Sequence, residues 1–370
     1  MAGKKHNSVC NFHKSFSQRA EREWSQDRSL FVIIVRAHRQ ADVCNAEHRE
    51  GFTEMKKVLL LVNASAGITQ MAYKTYDVIE TLARGGYEVT VYPVLPAEGL
   101  ISEDIIADSD QNFDLIACCG GDGTLHHVIN GIMQTYPQES RPQIGFIPTG
   151  STNDFAKSLG IPSEVGGAAV NLVRGVPFAY DVGSFNEQYF NYVAAFGAFT
   201  AITYSTDQNF KNVLGHAAYV LTGISRLQEN VTYKCHMKIE ADGLRMEDDY
   251  IFGAIYNATS VGGISLRNAM NVRLDDGKFG LILIKAPENL QDVGQIVQAL
   301  MDPNLDSPYV SSFDVENVKL IPDRSAAWTL DGEAGGAPET VEISVQKKAL
   351  SILIPERKYR SLIDAQSPEE

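Results

Sequence analysis

A glycine-rich loop in the first half of the sequence has the composition of a phosphate-binding site. The apolar run Leu115 to Cys119 predicts a buried strand, and Gly-Gly-Asp-Gly-Thr follows it at once, over residues 120–124. A periodic stretch, Leu125 to Met133, then predicts a helix. Glycine leaves backbone N–H groups uncovered, and the first helical amides are also free, so together they form a positive concave surface for phosphate oxygens. Asp122 adds a carboxylate that can reach Mg²⁺ or a γ-phosphate. The structural alternative is a tight turn that needs positive φ.

A second polar loop, Thr149 to Asp154, also joins an apolar strand to a helix. Gly150 permits another backbone to approach closely, and the three residues after it offer hydroxyl and amide groups as helix caps or phosphate donors. Capping requires one such residue, whereas four polar residues follow the glycine. Asp154 is a candidate either for holding Mg²⁺ or for ordering the neighbouring glycine loop.

Composition narrows the class of protein. With 370 residues, 44% hydrophobic and 21% charged, the chain is long enough for two globular domains. Its longest apolar runs are far short of a membrane span. A formal net charge of −14 argues against nucleic acid as the main partner. Five cysteines without a disulfide or C-x-x-C metal pattern indicate a reducing, cytoplasmic compartment.

From Met55 onwards, strands and helices alternate. Strand predictions are Val58 to Val62, Tyr87 to Val94, Leu115 to Cys119 and Gln143 to Pro148, with a helix from Thr69 to Ala83. This order predicts a parallel, doubly wound α/β sheet, in which ligands bind at the carboxyl ends of the strands. Three small polar loops meet that edge, at residues 63–67, 120–124 and 149–154. We expect them to converge on one ligand.

After Pro177, short strands separated by Asp-Gly turns predict an antiparallel β-sandwich or barrel. The predicted turns are Asp242-Gly243, Asp276-Gly277 and Asp331-Gly332. The predicted strands are Phe178 to Phe185, Gln188 to Phe199, Val231 to Glu240, Tyr250 to Asn257, Phe279 to Lys285, Val315 to Ile321, Trp328 to Leu330 and Leu350 to Ile354. Two helices, Val213 to Leu227 and Leu290 to Leu300, are expected to interrupt them.

The predicted domain boundaries follow from this change of pattern. Residues 1–54 show no sustained period and no signal peptide, so we expect a disordered or non-native leader. Residues 55–180 form the nucleotide-binding α/β domain, which residues 350–370 are expected to complete. Residues 181–349 form the β-sandwich domain.

Taken together, these motifs resemble the diacylglycerol kinase catalytic domain family, especially its soluble bacterial lipid kinases, with sphingosine kinases as relatives. The resemblance covers the chain from about Met55 to the C-terminus, in order and at family-like spacing. It rests on Asn-Ala-Ser-Ala-Gly at 63–67, the two loops at 120–124 and 147–154, Leu-Asp-Asp-Gly at 274–277, and Asp-Gly-Glu at 331–333 before the strand at 350–355.

The resemblance implies ATP-dependent transfer of phosphate to a lipid hydroxyl, at an active site in the cleft between the two domains. It makes Glu333 the general base that takes the hydroxyl proton, with Asp331 nearby and Asp122 in the phosphate loop. His126 and His127 are interpreted as helix surface or packing. The expected nucleotide contacts are Asn63, Ala64, Ser65, Ala66, Gly67, Gly120, Gly121, Asp122, Gly123, Thr124, Leu125, Ser151, Thr152, Asn153 and Asp154.

The resemblance also implies a structural Mg²⁺ at the turn of residues 273–278. The ion would be bound by the side chain of Asp276 and the backbone carbonyls of Arg273 and Lys278, which are hard oxygen ligands. The plain alternative is a type I′ hairpin turn that binds no metal.

The substrate and partners remain open at this stage. A lipid alcohol requires transient docking at the cytoplasmic face of a membrane, for which residues 210–227 combine apolar and cationic side chains. Diacylglycerol is the leading substrate, with sphingoid base, ceramide and phosphatidylglycerol as alternatives. The oligomeric state is open, and a homodimer is compatible with the sequence. Two other functions are an NAD kinase-like phosphorylation of a ribose hydroxyl and a nucleotide-binding regulator without catalysis.

Overall fold

The structure is a computed structural model that describes most of the chain. The described residues are 33–35, 55–63, 71–97, 99–109, 112–151, 153–197, 234–258, 260–261, 264–265, 273–301 and 306–364. Ala64, Ser65, Ala66, Gly67 and Thr152 lie outside these residues, as do the predicted helix at 213–227 and the predicted docking stretch at 210–227. The described residues from Ile34 onwards belong to one compact unit.

Four strands form the parallel part of the sheet, in the order β3-β2-β4-β5. After a short strand β1 (Ile33–Val35), they are β2 (Lys56–Asn63), β3 (Tyr87–Val94), β4 (Leu115–Gly120) and β5 (Gln143–Pro148). All six residues of β4 are buried because helices cover both faces of the sheet. The carboxyl ends of these strands therefore share one edge.

The alternation of side chains along β2 shows that the sheet is doubly wound. Val58 and Leu60 pack with helices α1 and α5, whereas Leu59 and Leu61 pack with α2 and α3 on the other face. The helices are α1 (Met71–Arg84), α2 (Ser102–Ala107), α3 (Asp122–Thr135), α4 (Asp154–Ser158) and α5 (Val165–Arg174). The α3 helix follows β4 directly, so its first turn lies at the carboxyl edge of the sheet.

The second half is an antiparallel β-sandwich. Its core holds aromatic and aliphatic side chains from several strands, including Phe185, Phe196, Ile239, Leu281 and Trp328. The elements are β6 (Val176–Phe185), β7 (Gln188–Phe190), β8 (Val193–Gly197), β9 (Cys235–Ala241), β10 (Leu244–Tyr256), β11 (Ser260–Val261), β12 (Ile264–Ser265), β13 (Phe279–Lys285), α6 (Leu290–Met301), β14 (Val310–Val315), β15 (Asn317–Pro322), β16 (Trp328–Leu330), β17 (Glu333–Gly336), β18 (Val341–Ile354) and α7 (Glu356–Asp364).

The long strand β18 belongs to both halves. Its end, which contains the predicted strand at 350–354, pairs in parallel with β5 through Ile352 and Ile144. The rest of β18 pairs antiparallel with β6 and β15. The fold is therefore a doubly wound parallel α/β domain and an antiparallel β-sandwich joined through one shared strand.

Several predicted elements differ in their bounds from the structure, and hydrogen bonds to Asp side chains explain two of the differences. The predicted strands at 250–257 and 350–354 are longer in the structure, Leu244–Tyr256 and Val341–Ile354. The predicted strand at 188–199 is broken between β7 and β8, where backbone amides turn to Asp331. The predicted strand at 315–321 is broken at Glu316, whose amide donates to Asp242 at 2.7 Å. Helix α3 begins at Asp122 rather than Leu125, so part of the glycine loop forms its first turn.

The fold places no helical span across a bilayer within these residues. None of the described helices combines the length and the apolar character that crossing a membrane requires.

Candidate active site

The glycine loop forms the junction between β4 and α3. Gly121 has extended backbone angles and caps α3, and its carbonyl accepts the first helical hydrogen bond, from the Leu125 amide at 3.1 Å. The amides of residues 122–124 belong to the first turn, where N–H groups have no intrahelical partner. The positive end of the helix dipole adds to them. This edge of the sheet therefore favours an anion.

The end of β2 is tied to the same turn. Asn63 Nδ2 donates a hydrogen bond to Thr124 Oγ1 at 2.8 Å. Gly120 lies under Thr124, because a Cβ on Gly120 would overlap the threonine side chain. The strand ends of β2 and β4 thus converge as the sequence predicts, up to the point where the described residues of the first loop end at Asn63.

The second polar loop crosses the glycine loop at backbone contact distance. The Thr149 amide donates to the Gly120 carbonyl at 2.7 Å. A Cβ on Gly150 would lie 2.6 Å from Gly121 Cα, and one on Gly121 would lie 3.3 Å from Gly150 Cα. The two loops can pass this closely only because both positions lack a side chain.

Asn153 and Asp154 hold the second loop against the first. Asn153 has left-handed backbone angles, φ 51° and ψ 50°, and its Nδ2 donates to the Gly150 carbonyl at 2.7 Å. The Asp154 amide donates to Asp122 Oδ2 at 3.1 Å. Of the two roles that the sequence allowed for Asp154, ordering the glycine loop is the one with a contact in the structure. Ser151 is exposed.

The carboxyl group of Asp122 lies in an environment that disfavours its charged form. Burial raises the pKa of its carboxyl to about 6, and the neighbouring charges of Asp154 and Asp331 act in the same direction. Its Oδ1 is buried without a hydrogen-bond partner, as are Thr149 Oγ1 and Asn153 Oδ1. Buried polar atoms that the protein leaves unpaired are costly unless a ligand satisfies them. This cluster fits a phosphate group with its cation.

Asp331 anchors the turn between β16 and β17. Asp331 and Gly332 have φ of 53° and 93°, as in the type I′ turn that an Asp-Gly pair favours. The Asp331 carboxylate is buried and accepts backbone amides from Asn191, Tyr192 and Val193 at 2.7 to 3.1 Å. The Asp331 carboxylate is therefore held by backbone amides of the β-sandwich.

The same carboxylate reaches helix α3. His126 Nδ1 lies 2.9 Å from Asp331 Oδ2, and both side chains are buried. One turn further along, Asn130 bonds to the backbone of β7, donating to the Tyr189 carbonyl and accepting from the Tyr189 amide, both at 2.9 Å. The face of α3 that follows the glycine loop is thus bonded to the β-sandwich. The sequence-based interpretation of His126 as packing missed this pairing.

Glu333 lies against the glycine loop. A Cβ on Gly123 would overlap its carboxylate oxygen Oε1 and would lie 3.1 Å from its carboxyl carbon. His127, on the same helical face, bonds to Glu103. This bond raises the pKa of His127, and Glu333 is close enough to raise it further. A carboxylate from the β-sandwich therefore contacts the first turn of α3.

The turn at residues 273–278 lies among other acidic groups. Asp276 Oδ1 accepts the Lys278 amide at 3.0 Å, and the buried Asp181 accepts the Gly277 amide at 2.6 Å. Lys347 Nζ donates to the Asp276 carbonyl at 3.3 Å. Gly277 has positive φ, 83°, but Asp276 does not, so the turn is not the predicted type I′ alternative. Arg273 is exposed at its start.

The sequence analysis missed residues whose hydrogen-bond partners lie far away in the sequence. Asp181 caps both Gly277 and Lys348, and Asn130 bonds to β7, but neither lies in a glycine loop or an Asp-Gly turn. The only sequence signal was their polarity in otherwise apolar segments.

The fold and the site define a class. A parallel sheet ends in a glycine loop at a helix N-terminus, and a carboxylate from a second domain faces that loop. These are the parts of a phosphotransferase, which binds phosphates and directs a base at the attacking hydroxyl.

The family follows from comparison with known proteins. Residues 57–185 match the diacylglycerol kinase catalytic domain. The chain is 29% identical over 311 residues to the diacylglycerol kinase of Bacillus subtilis. This alignment covers 84% of this chain and 100% of that protein. It is 29% identical over 284 residues to the diacylglycerol kinase of Staphylococcus aureus, covering 76% of this chain and 87% of that protein. These similarities identify residues 57–185 as a diacylglycerol kinase catalytic domain, and the chain is a kinase.

A solved structure agrees on the fold. The crystal structure of a diacylglycerol kinase from Bacillus anthracis superposes with a TM-score of 0.65 at 22% identity, covering 82% of this chain and 99% of that chain.

Proposed function

We propose that this kinase transfers the γ-phosphate of ATP to the hydroxyl group of a membrane lipid, with diacylglycerol as the leading substrate and phosphatidic acid as the product. The observation that carries the proposal is the contact between Glu333 and Gly123, because it brings a carboxylate to the loop that would hold the phosphates. The bacterial relatives are diacylglycerol kinases, which supports the same substrate.

In this proposal, the backbone does most of the phosphate binding. The amides of the first turn of α3 would hold the phosphate oxygens, with Asn63 and Thr124 closing one side and the loop at 149–154 the other. The hydroxyl of the lipid would approach the Glu333 carboxylate beside the first turn of α3. Glu333 accepts the hydroxyl proton as the oxygen attacks the γ-phosphorus and ADP leaves, which makes Glu333 the catalytic residue. Asp331 acts through the turn that it anchors.

In this proposal magnesium would be held at two places in the chain. The unpaired Oδ1 of Asp122 suits the cation that accompanies a nucleotide. The turn at 273–278 offers the hard donor set of Asp276 and the carbonyls of Arg273 and Lys278, next to the further carboxylates of Asp181 and Asp275. A magnesium ion held by Asp122 would neutralise phosphate charge, and one held by Asp276 would stiffen the turn.

The lipid substrate implies a membrane partner. We propose that the enzyme acts in the cytoplasm and docks transiently at the cytoplasmic face of the membrane. Flotation with anionic liposomes tests this: the protein should rise with vesicles that contain diacylglycerol, and its absence from the floating fraction under all conditions contradicts docking.

Direct transfer assays test the reaction. Radiolabelled ATP is supplied with mixed micelles that contain diacylglycerol, sphingosine, ceramide or phosphatidylglycerol, and separately with NAD. We expect labelled lipid, with phosphatidic acid the most abundant product. Label in NAD alone would support a ribose kinase, and ATP binding without transfer to any acceptor would support a nucleotide-binding regulator. Either result contradicts the proposal.

A further inference from the structure

His126 occupies a buried position in which both ring nitrogens face polar groups. It is 6% exposed, Nδ1 lies 2.9 Å from Asp331 Oδ2, and Nε2 lies 3.3 Å from Asn130 Nδ2. A nitrogen this close to a carboxylate oxygen carries a hydrogen, because two acceptors at that distance repel each other. Nδ1–H therefore donates to Asp331.

The orientation of Asn130 determines the other ring nitrogen. The Tyr189 amide donates to Asn130 Oδ1, and Asn130 Nδ2 donates to the Tyr189 carbonyl, so the backbone of β7 fixes which end of the side-chain amide is which. Asn130 Nδ2 also faces His126 Nε2 and the His126 carbonyl. Nδ2 has two hydrogens, and the Tyr189 and His126 carbonyls lie nearer to it, at 2.9 and 3.0 Å, than Nε2 does at 3.3 Å. Nε2 is therefore a third, longer acceptor, and the strong bond of the ring is the one from Nδ1 to Asp331.

Asp331 accepts the hydrogen bond of His126 and lies in the turn that directly precedes Glu333. Three of its four donors are backbone amides of residues 191–193 in the β-sandwich, and the fourth is His126 of the α/β domain. Asp331 also donates its own amide to the Val193 carbonyl at 2.8 Å. Of the four donors, only His126 connects the turn to helix α3.

The two contacts between this helix and this turn are close together. His126 lies one helical turn after Gly123, and Glu333 lies two residues after Asp331, so the His126–Asp331 bond and the Gly123–Glu333 contact join the same pair of segments. Loosening the first contact shifts the second. A displacement of about 1 Å at a reacting group can cost about 100-fold in rate.

We propose that His126 is a positioning residue for phosphoryl transfer, which holds the carboxylate of Glu333 over the glycine loop by donating to Asp331. The inference rests on the proposed role of Glu333. It gives the histidine a task at the active site that does not require it to touch the substrate or to exchange a proton.

Two kinds of variant separate positioning from packing. His126→Leu and His126→Phe keep most of the buried volume and remove the donor, so either one can be used if the other does not fold. His126→Asn keeps an amide donor at the position of Nδ1. The matched control is Ile129→Ala, which weakens the buried side of the same helix without touching Asp331.

Amide hydrogen exchange measures how firmly the backbone of the turn is held, and it needs no substrate. We expect exchange at residues 331–334 and 191–193 to accelerate at least tenfold in His126→Leu and His126→Phe, and to stay near wild type in His126→Asn and Ile129→Ala. Exchange in these segments that is unchanged in the two apolar variants, or equally accelerated in Ile129→Ala, overturns the inference.

Steady-state kinetics provides the second readout. The apolar variants should lose about 100-fold in kcat with the KM for ATP unchanged, and His126→Asn should recover most of the loss. A KM effect with kcat intact, or a failure of His126→Asn to recover, contradicts positioning. If wild type phosphorylates no lipid, the proposed function fails, while the exchange measurement still decides the role of His126.

Discussion

The carboxylate of Glu333 lies where a side chain on Gly123 would be. One residue belongs to a turn of the β-sandwich and the other to the first turn of α3, so this contact joins the expected base to the expected phosphate loop. The absence of a Cβ at position 123 is what allows it.

Gly123→Ala therefore separates catalysis from stability. The added methyl group displaces Glu333, so we expect turnover to fall at least 100-fold. The melting temperature should hold or rise, because alanine is favoured over glycine in a helix by about 1 kcal/mol. Scanning calorimetry and the lipid transfer assay on the same preparation measure both. Adding Glu333→Asp, which shortens the carboxylate, should restore part of the activity; an active single variant contradicts the contact.

Asp122→Asn should stabilise the free protein above about pH 6. The pKa of the Asp122 carboxyl is raised to about 6, from an ordinary aspartate value of about 3.9, so ionisation of Asp122 opposes folding. The cost of that ionisation appears as the pH rises between these two values. Two pKa units correspond to roughly 3 kcal/mol, and partial exposure of the loop reduces the expected gain to about 1 kcal/mol.

Urea unfolding of wild type and Asp122→Asn at about pH 4 and pH 8 measures this effect. The stability difference should be small at the lower pH and favour the variant at the higher pH, while kinase activity is lost at both. A variant that is less stable than wild type at pH 8 shows that the carboxylate is satisfied within the protein.

His127 should make stability depend on pH in the opposite sense. Its hydrogen bond to Glu103 raises its pKa, so the stabilisation is present in full below the unfolded pKa, about 6.5, and is lost as the pH rises through the folded pKa. The side chain is 44% exposed, so solvent screening limits the effect to about 0.5 kcal/mol. His127→Gln and Glu103→Gln should each remove this pH-dependent part in urea titrations. If wild type remains more stable than the two variants by the same free energy of unfolding at about pH 9, the proposed role of the His127–Glu103 bond is contradicted.

Gly150→Ala tests the crossing of the two loops. Its Cβ would lie 2.6 Å from the backbone of Gly121, so the loops must separate, and we expect ATP affinity to fall at least tenfold by calorimetric titration. Gly294→Ala in α6 is the matched control, since a Cβ there meets nothing within 4 Å. Equal ATP affinity in the two variants would mean that the loops are not packed as described.

Much of the fold is predictable from the sequence because local signals and tertiary structure agree. Tyr87–Val94, Gln143–Pro148 and Phe279–Lys285 have the predicted bounds, since each is an apolar or alternating run bounded by turn residues. The Asp242 and Asp331 turns have the expected positive φ. The parallel order of the first strands brought Asn63, the glycine loop and the loop at 149–154 together at one edge.

The remainder depended on contacts that no local pattern contains. Strand breaks at Asn191 and Glu316 arise from amides that bond to Asp331 and Asp242 at long range. The bond between His126 and Asp331 spans 205 residues. A histidine on a helix face is interpreted as a packing residue when the side chain opposite it is unknown. Asp331 was therefore not predicted as the partner of His126.

The most direct test of the account is single-turnover transfer from ATP to diacylglycerol by Glu333→Gln, with the exposed Glu339→Gln as the control. We expect Glu333→Gln to bind ATP with wild-type affinity and to transfer phosphate about 1,000-fold more slowly, because it keeps the shape of the site and loses the base. Glu339→Gln should match wild type in both measurements. Transfer by Glu333→Gln within tenfold of the wild-type rate would contradict the assignment of the base.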